Sequence, residues 1–295
     1  MSDKTISGTL NIISPQTLSE RIPPVKIVDT IPKMTRLVEF NIPMDFTADF
    51  INLQIEVVLN NDEKIQLEKS SYFTALVPVS GTPKVDGVIE KNEYNKSAPI
   101  VINKDRMVIG TNGLVGGFEW NGPEDLSAKG YINYDKDYFY LAMEVEDDIL
   151  GSNDANKRIW ANDSIQFSFA DRAEKKAAFT EIGIGFVGDK PEIARYYYMG
   201  EKENIIYHDS IGAKEGFEED TELMISRNGT ITTYELKIPW IDIYPVRNPF
   251  PRDSVFFSII VNENDLNGRE GWLEFAPGIG ARKDPSLFTS VIVIK

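Results

Sequence analysis

From Phe50 to Leu59 the apolar residues Ile51, Leu53, Ile55, Val57 and Leu59 alternate with Asn52, Gln54 and Glu56. Apolar positions at every second residue line one face of a half-buried strand. The turn Asn60-Asn61-Asp62-Glu63 follows, and Ile65 and Leu67 open a return strand, so residues 50–68 read as a hairpin. Upstream, Leu37 to Ile42 also alternates and stops at Pro43. Before about residue 30 the chain is polar, and Ser14-Pro15 and Pro23-Pro24 predict extended chain, because proline supplies no donor and fixes its own φ.

Ser80-Gly81-Thr82-Pro83 is the clearest punctuation in the first third and marks a domain boundary. Beyond it, strand patterns dominate. Residues 130–134, a turn at Asp135-Lys136-Asp137, and residues 138–145 form a hairpin with Phe139, Leu141, Met143 and Val145 on one face and Tyr138, Tyr140 and Ala142 on the other. With neither face plainly wet, this is a central strand of a sandwich. Ile165, Phe167 and Phe169 alternate with Ser164, Gln166 and Ser168, and Val255, Phe257, Ile259 and Val261 repeat the pattern. Asn228-Gly229 predicts a type I′ hairpin turn ahead of Tyr234, Leu236 and Ile238. Helix signal is confined to Ala170–Phe179, with Asp171 as its cap, and to a single turn after Pro239. The fold class is all-β: two β-sandwich domains, with an extended segment at 1–29, a small β domain at 30–79 and a large sandwich at 80–295.

Composition narrows the chemistry. With 295 residues, 42% of them apolar, the chain buries a real core. Forty-six acidic against 31 basic residues leave a net charge of -15, which repels nucleic-acid phosphates and anionic lipid surfaces. No apolar run reaches the roughly 18 residues of a membrane span, and Met1-Ser2-Asp3-Lys4 lacks a secretory-signal pattern. Cysteine is absent and the lone histidine is His208, so thiolate nucleophiles, disulfides and His-clustered metals are excluded. Freedom from thiols favours an extracellular or cell-surface setting.

The stretches Val85-Asp86-Gly87-Val88-Ile89 with Glu93, residues 125–130, residues 138–148, Ile159-Trp160-Ala161-Asn162-Asp163-Ser164, Ile238-Pro239-Trp240, Val261-Asn262-Glu263-Asn264-Asp265 and Lys283-Asp284-Pro285-Ser286-Leu287-Phe288 stand in one order over residues 80–295. In that order they resemble the signatures of a family 9 carbohydrate-binding module. The resemblance implies a DOMON-like, jelly-roll-type β-sandwich, often calcium-containing and non-catalytic. It also implies attachment, within a larger polypeptide, to the catalytic domain of a secreted enzyme that degrades polysaccharides. Residues 30–79 resemble the small immunoglobulin-like domain that often precedes such modules.

A neutral sugar presents C–H faces and hydroxyl edges, so its site needs an aromatic plane and fixed polar groups. By resemblance, Trp160 takes the position of a tryptophan that clamps a terminal sugar, while the second clamping position holds Arg282. Gln166 stands where the family has a glutamate, apolar Ile260 where it has a glutamine, and the binding arginine falls near Gly183. The candidates for contacting a polysaccharide or oligosaccharide are therefore Trp160, Gln166, Asn262, Arg282, and Tyr196 and Tyr198 of the run 196–198. Trp120, in a glycine-rich loop, and Trp272, on an alternating strand, join them; Trp240 reads as core. Trp160 itself can line the site or pack inside.

Glu263, Asp265, Asn267, Gly268 and Glu274 have the spacing of an EF-hand loop, although both flanks read as strands. Asp86, Asp147, Asp148 and Asp163 are further calcium ligands by family position. Gly183-Ile184-Gly185-Phe186-Val187-Gly188 spells a dinucleotide motif, but no helix follows, so it reads as a strand. Adjacent His208, Asp209 and Ser210 cannot form a triad on one strand. The competing functions are a structural spacer or cell-surface domain, a glycoside hydrolase using a carboxylate pair, and a haem binder restricted to His208 and the methionines.

Overall fold

Period-2 alternation becomes paired strands in both parts of the described chain. The computed structural model describes residues 6–30, 50–72, 74–110, 118–154, 158–199, 205–207, 217–249 and 254–294. It divides into two units, Met1–Phe73 and Thr74–Lys295.

In the first unit the hairpin Phe50–Leu59 and Lys64–Tyr72 forms as its alternation predicts. The polar N-terminal stretch is not a loose extension, because Ile6–Ser14 pairs with both Phe50–Leu59 and Val25–Thr30. The described strands of this unit form one four-stranded antiparallel sheet, with a single helical turn at Gln16–Ser19 that the sequence pattern does not signal. Alternation of Leu10 and Ile12, both buried, is the short signal that composition conceals.

The division falls before Thr74 and not at the Ser80–Pro83 punctuation, for a topological reason. Thr74–Pro78 runs parallel to both Thr289–Val293 and Leu126–Tyr134, joining the edges of two sheets. One sheet continues from Thr289–Val293 through Ser254–Glu263, Ser164–Ala170, Phe179–Val187 and Lys190–Met199 to Ile205–Tyr207. The other continues from Leu126–Tyr134 through Tyr138–Asp147 and Ile231–Pro239 to Glu222–Asn228. Their inner faces meet through aromatic rings. Phe139 of the second sheet lies 5.7 Å from Phe167 and 5.1 Å from Phe169 of the first. Phe257 stands 4.8 Å from Phe169, and Trp240 caps the cluster 5.7 Å from Phe139. Such tilted and edge-on contacts are the favoured arrangement of rings, and each buried ring contributes about 2 kcal/mol or more. The sandwich is therefore all-β, with Trp240 in its core.

Three local features differ from their sequence patterns. Residues 171–178 form a loop, not a helix, between Ser164–Ala170 and Phe179–Val187, because the antiparallel register Ala170↔Phe179 must be closed by a turn. At 228–231 only Gly229 has positive φ, 63°, so the turn centres on Gly229-Thr230 and is of the II′ kind. Val85-Asp86-Gly87 is a clasp: Glu235 Oε2 accepts the backbone N–H groups of Asp86 (3.2 Å), Gly87 (2.6 Å) and Val88 (3.0 Å), while Oε1 accepts from the Tyr94 hydroxyl at 2.7 Å. Gly87 meets this demand with a φ of +90°.

Candidate functional site

The strand Phe179–Val187 prepares the site by omission. Gly183 and Gly185 share the face of Glu181. A Cβ on Gly183 would stand 2.5 Å from the Tyr196 ring, and one on Gly185 2.9 Å from Ile159. The two bare positions let Tyr196 and the 3₁₀ turn Ile159–Ala161 settle onto the sheet. Tyr196 then holds the turn by accepting the Trp160 backbone N–H on its hydroxyl at 3.1 Å. Trp160, half-buried, forms one wall of a pocket of about 190 Å³ whose other walls are Gln166, Glu181, Tyr196, Arg269, Gly280 and Lys283.

The floor is a chain of fixed polar groups. Glu181 is fully buried, and its Oε1 accepts from Gln166 Nε2 and from Lys283 Nζ, both at 2.6 Å. Among the described residues its Oε2 has no hydrogen-bond partner. Asn262 stands behind Gln166, donating to Gln166 Oε1 at 3.1 Å and to Ser164 Oγ at 2.9 Å. Burial pushes the Glu181 carboxyl above the usual range, against the pull of Lys283, and burial pulls Lys283 down against Glu181. The guanidinium of Arg269 lies 4.2 Å from the Trp272 ring and 5.9 Å from Trp160. Burial lowers it to about 10, which leaves it cationic at neutral pH.

Of the aromatic candidates, the structure brings Trp160 and Tyr196 together with Gln166, and places Asn262 one layer below. Arg282 is exposed and does not line the pocket; its neighbour Lys283 turns inward to Glu181. Trp272 is buried under Arg269, its indole against Gly280, and its Nε1 donates to Glu274 Oε2 at 3.2 Å. Trp120 is half-buried elsewhere, donating to the Leu126 carbonyl at 2.8 Å. The side chain of Tyr198, and residues 208–210, lie outside the described residues. Gly183–Gly188 is a strand and its turn, as the missing helix implies. Sequence reasoning missed Glu181, Arg269 and Lys283. An acid on the face shared with Gly183 and Gly185 is a readable sign of a lined hollow; Arg269, in a polar loop, carries no such sign.

A second constellation sits near the Glu263–Gly271 hairpin. Asp147, Asp163 and Glu263 are all buried, and their carboxylate oxygens lie within 4.8 Å of one another. Asp163 is oriented by the N–H groups of Gly151 and, at 2.7 Å, Asn264. Arg227 reaches Asp147 Oδ1 only at 3.9 Å. Among the described residues Asp147 Oδ1 and both oxygens of Glu263 lack hydrogen-bond partners. Burial first, then mutual repulsion, pushes Glu263 up to about 11, and burial pushes Asp147 up to about 7. Asp265 and Asp148 form a neighbouring, more open group with Asp125. The EF-hand spacing does not assemble: strands flank the loop, Asn267 is exposed, and Glu274 is engaged by Trp272. Strand pairing sets Glu274 opposite Ile260, away from Glu263.

No helix among the described residues is long and apolar enough to cross a membrane. No curated protein matches the sequence. A family 9 carbohydrate-binding module from Caldicellulosiruptor kristjanssonii, solved with glucose, is 16% identical, with a TM-score of 0.45, over 75% of this chain and 95% of that one. The same organism's module solved with cellotriose is 17% identical, with a TM-score of 0.44, over 74% and 93%. The family model described as carbohydrate family 9 binding domain-like matches residues 85–295, most of the chain and nearly all of the larger sandwich. The chain belongs to that family of non-catalytic carbohydrate-binding modules.

Proposed function

We propose that the Trp160 pocket is the saccharide site, holding the end or a short stretch of a polysaccharide for a catalytic domain elsewhere in a larger, extracellular polypeptide. The observation that carries this reading is the meeting of an accessible indole with immobilised polar groups. An indole packs on the C–H face of a sugar, and Gln166, Glu181 and Lys283, held by one another, present donors and acceptors to hydroxyls without reorganising. Glu181 is the one carboxylate lining the pocket among the described residues, which favours binding over a hydrolase mechanism needing two. Calorimetric titration against a glycan panel is expected to yield a binder whose affinity falls by at least about tenfold in Trp160→Ala, with the melting temperature little changed. The same loss in Trp120→Ala, or no binder in the panel, would reject the site.

Calcium is the second part of the proposal. Asp147, Asp163 and Glu263 fit a hard divalent cation: all donors are oxygen, they converge, and several are otherwise unpaired in the interior. The bound ion would neutralise their repulsion and fix the hairpin that carries Arg269. Chelation is expected to lower the melting temperature by about 5 to 10 °C, the effect of a ligand held at about a hundred times its Kd. In Glu263→Gln that calcium-dependent increment should vanish. A melting curve indifferent to chelator and to added calcium would dismiss the ion.

A further inference from the structure

Resting on the reading of the Trp160 pocket as a saccharide site, we propose that it selects an acidic sugar, one bearing a carboxylate as uronic acids do, and that Arg269 reads the carboxylate. Charge in the pocket is unbalanced at close range. Within the pocket Lys283 and Glu181 are bonded at 2.6 Å and cancel. Arg158, 5.7 Å from the Trp160 ring, is bonded to Asp154 at 2.5 Å and cancels too. Arg269 is left over. It lines the pocket and stacks on Trp272, yet among the described residues its Nε and Nη2 have no hydrogen-bond partner and are shielded from water.

A cation with two of its three nitrogens desolvated and unpaired is costly, and a ligand that supplies an acceptor at the third offsets that cost on binding. With Nε and Nη2 closed off, Nη1 is the nitrogen that a carboxylate entering the pocket meets, in a charge-assisted hydrogen bond. Stacking on Trp272 fixes the plane of the guanidinium, and the indole of Trp160 remains for the sugar ring. A neutral sugar can fill the same space, but it leaves the charge of Arg269 unmatched. The net charge of -15 does not oppose this, because charges more than about 8 Å away are screened at physiological salt.

The test is calorimetric titration of the intact protein, in calcium, with matched pairs: glucuronic acid against glucose, and galacturonic acid against galactose, each as the free sugar and as the reducing end of a disaccharide. The acidic member of at least one pair is expected to bind about tenfold tighter or more, with the gap narrowing as salt is raised. In Arg269→Gln the ratio within that pair should fall to about one, whereas Arg269→Lys should keep part of it by retaining the charge on a head group of different shape. Equal binding within every pair overturns the acidic-sugar inference and leaves the saccharide site standing. Failure of every sugar in the glycan panel and in these pairs overturns the saccharide reading as well. A preference that persists in Arg269→Gln removes Arg269 from the role. If that variant does not fold, the wild-type ratio decides the class of ligand and Arg269→Lys decides the residue.

Discussion

Glu181 shows what a single residue contributes and how it can be checked. Its carboxyl is pushed above the ordinary 4.5 by burial, although Lys283, Gln166 and Arg269 all pull the other way. The folded protein thus holds that proton more tightly than the unfolded chain does. As pH rises through the window above 4.5, the folded state loses stability relative to the unfolded one, and lowering the pH restores it. In Glu181→Gln this contribution is gone, so thermal melts at about pH 5 and about pH 7 should differ less in the variant than in the wild type. An unchanged pH difference would show that Glu181 ionises as freely in the fold as out of it. Legibility at this scale is uneven. Trp160 and Gln166 stand out from motif and alternation, but which of Arg282 and Lys283 turns inward depends on the path of the chain around Gly280, which no local pattern encodes.

At the scale of elements, period-2 alternation is a sound guide because a strand with one wet face must alternate. It located both hairpins, 50–68 and 130–145, whereas the helix read from a cap at Ala170–Phe179 failed, because Asp171 and the helix-forming residues after it serve a loop between paired strands. The Glu235 clasp is the opposite case: a buried acid on an apolar strand looks anomalous until the N–H groups of residues 86–88 and the Tyr94 hydroxyl converge on it. Removing this acceptor leaves the buried Gly87 N–H and Tyr94 hydroxyl unpaired, while Val88 N–H keeps Asp86 Oδ1. Glu235→Ala is expected to cost about 3 kcal/mol or more, and about 10 °C in melting temperature, without altering sugar affinity in the protein that remains folded. A loss under about 1 kcal/mol by chemical denaturation would mean that water replaces the carboxylate.

Across the whole molecule, the division between the units at Phe73 and Thr74 has a practical consequence. Thr74–Pro78 buries Ala75, Leu76 and Val77 and is the shared neighbour of Thr289–Val293 and Leu126–Tyr134. A fragment covering residues 74–295 is expected to melt cooperatively. One beginning at residue 80, where the proline and glycine punctuation invites a cut, should melt about 10 °C lower or more, because three buried apolar side chains, the buried Thr74 and two ladders are lost. Equal melting of the two fragments by circular dichroism would refute this role for the strand. Charge is also distributed at this scale: the acidic surplus is evident from composition, but its concentration in a buried trio at Asp147, Asp163 and Glu263 is not.

The class of the protein is written along the chain: strands, from alternation; a sandwich with a core of Phe139, Phe167, Phe169, Phe257 and Trp240, from apolar faces; and the family, from ordered motifs over residues 80–295, of which the family model matches 85–295. Those properties are local or cumulative along the chain, so they survive in one dimension. That Glu181, Arg269 and Lys283 share a pocket with Trp160, and that three distant acids meet in the interior, is a property of the folded chain alone. Such convergence arises from strand order and the closure of loops, where residues 102 apart, as Glu181 and Lys283 are, come within a hydrogen bond.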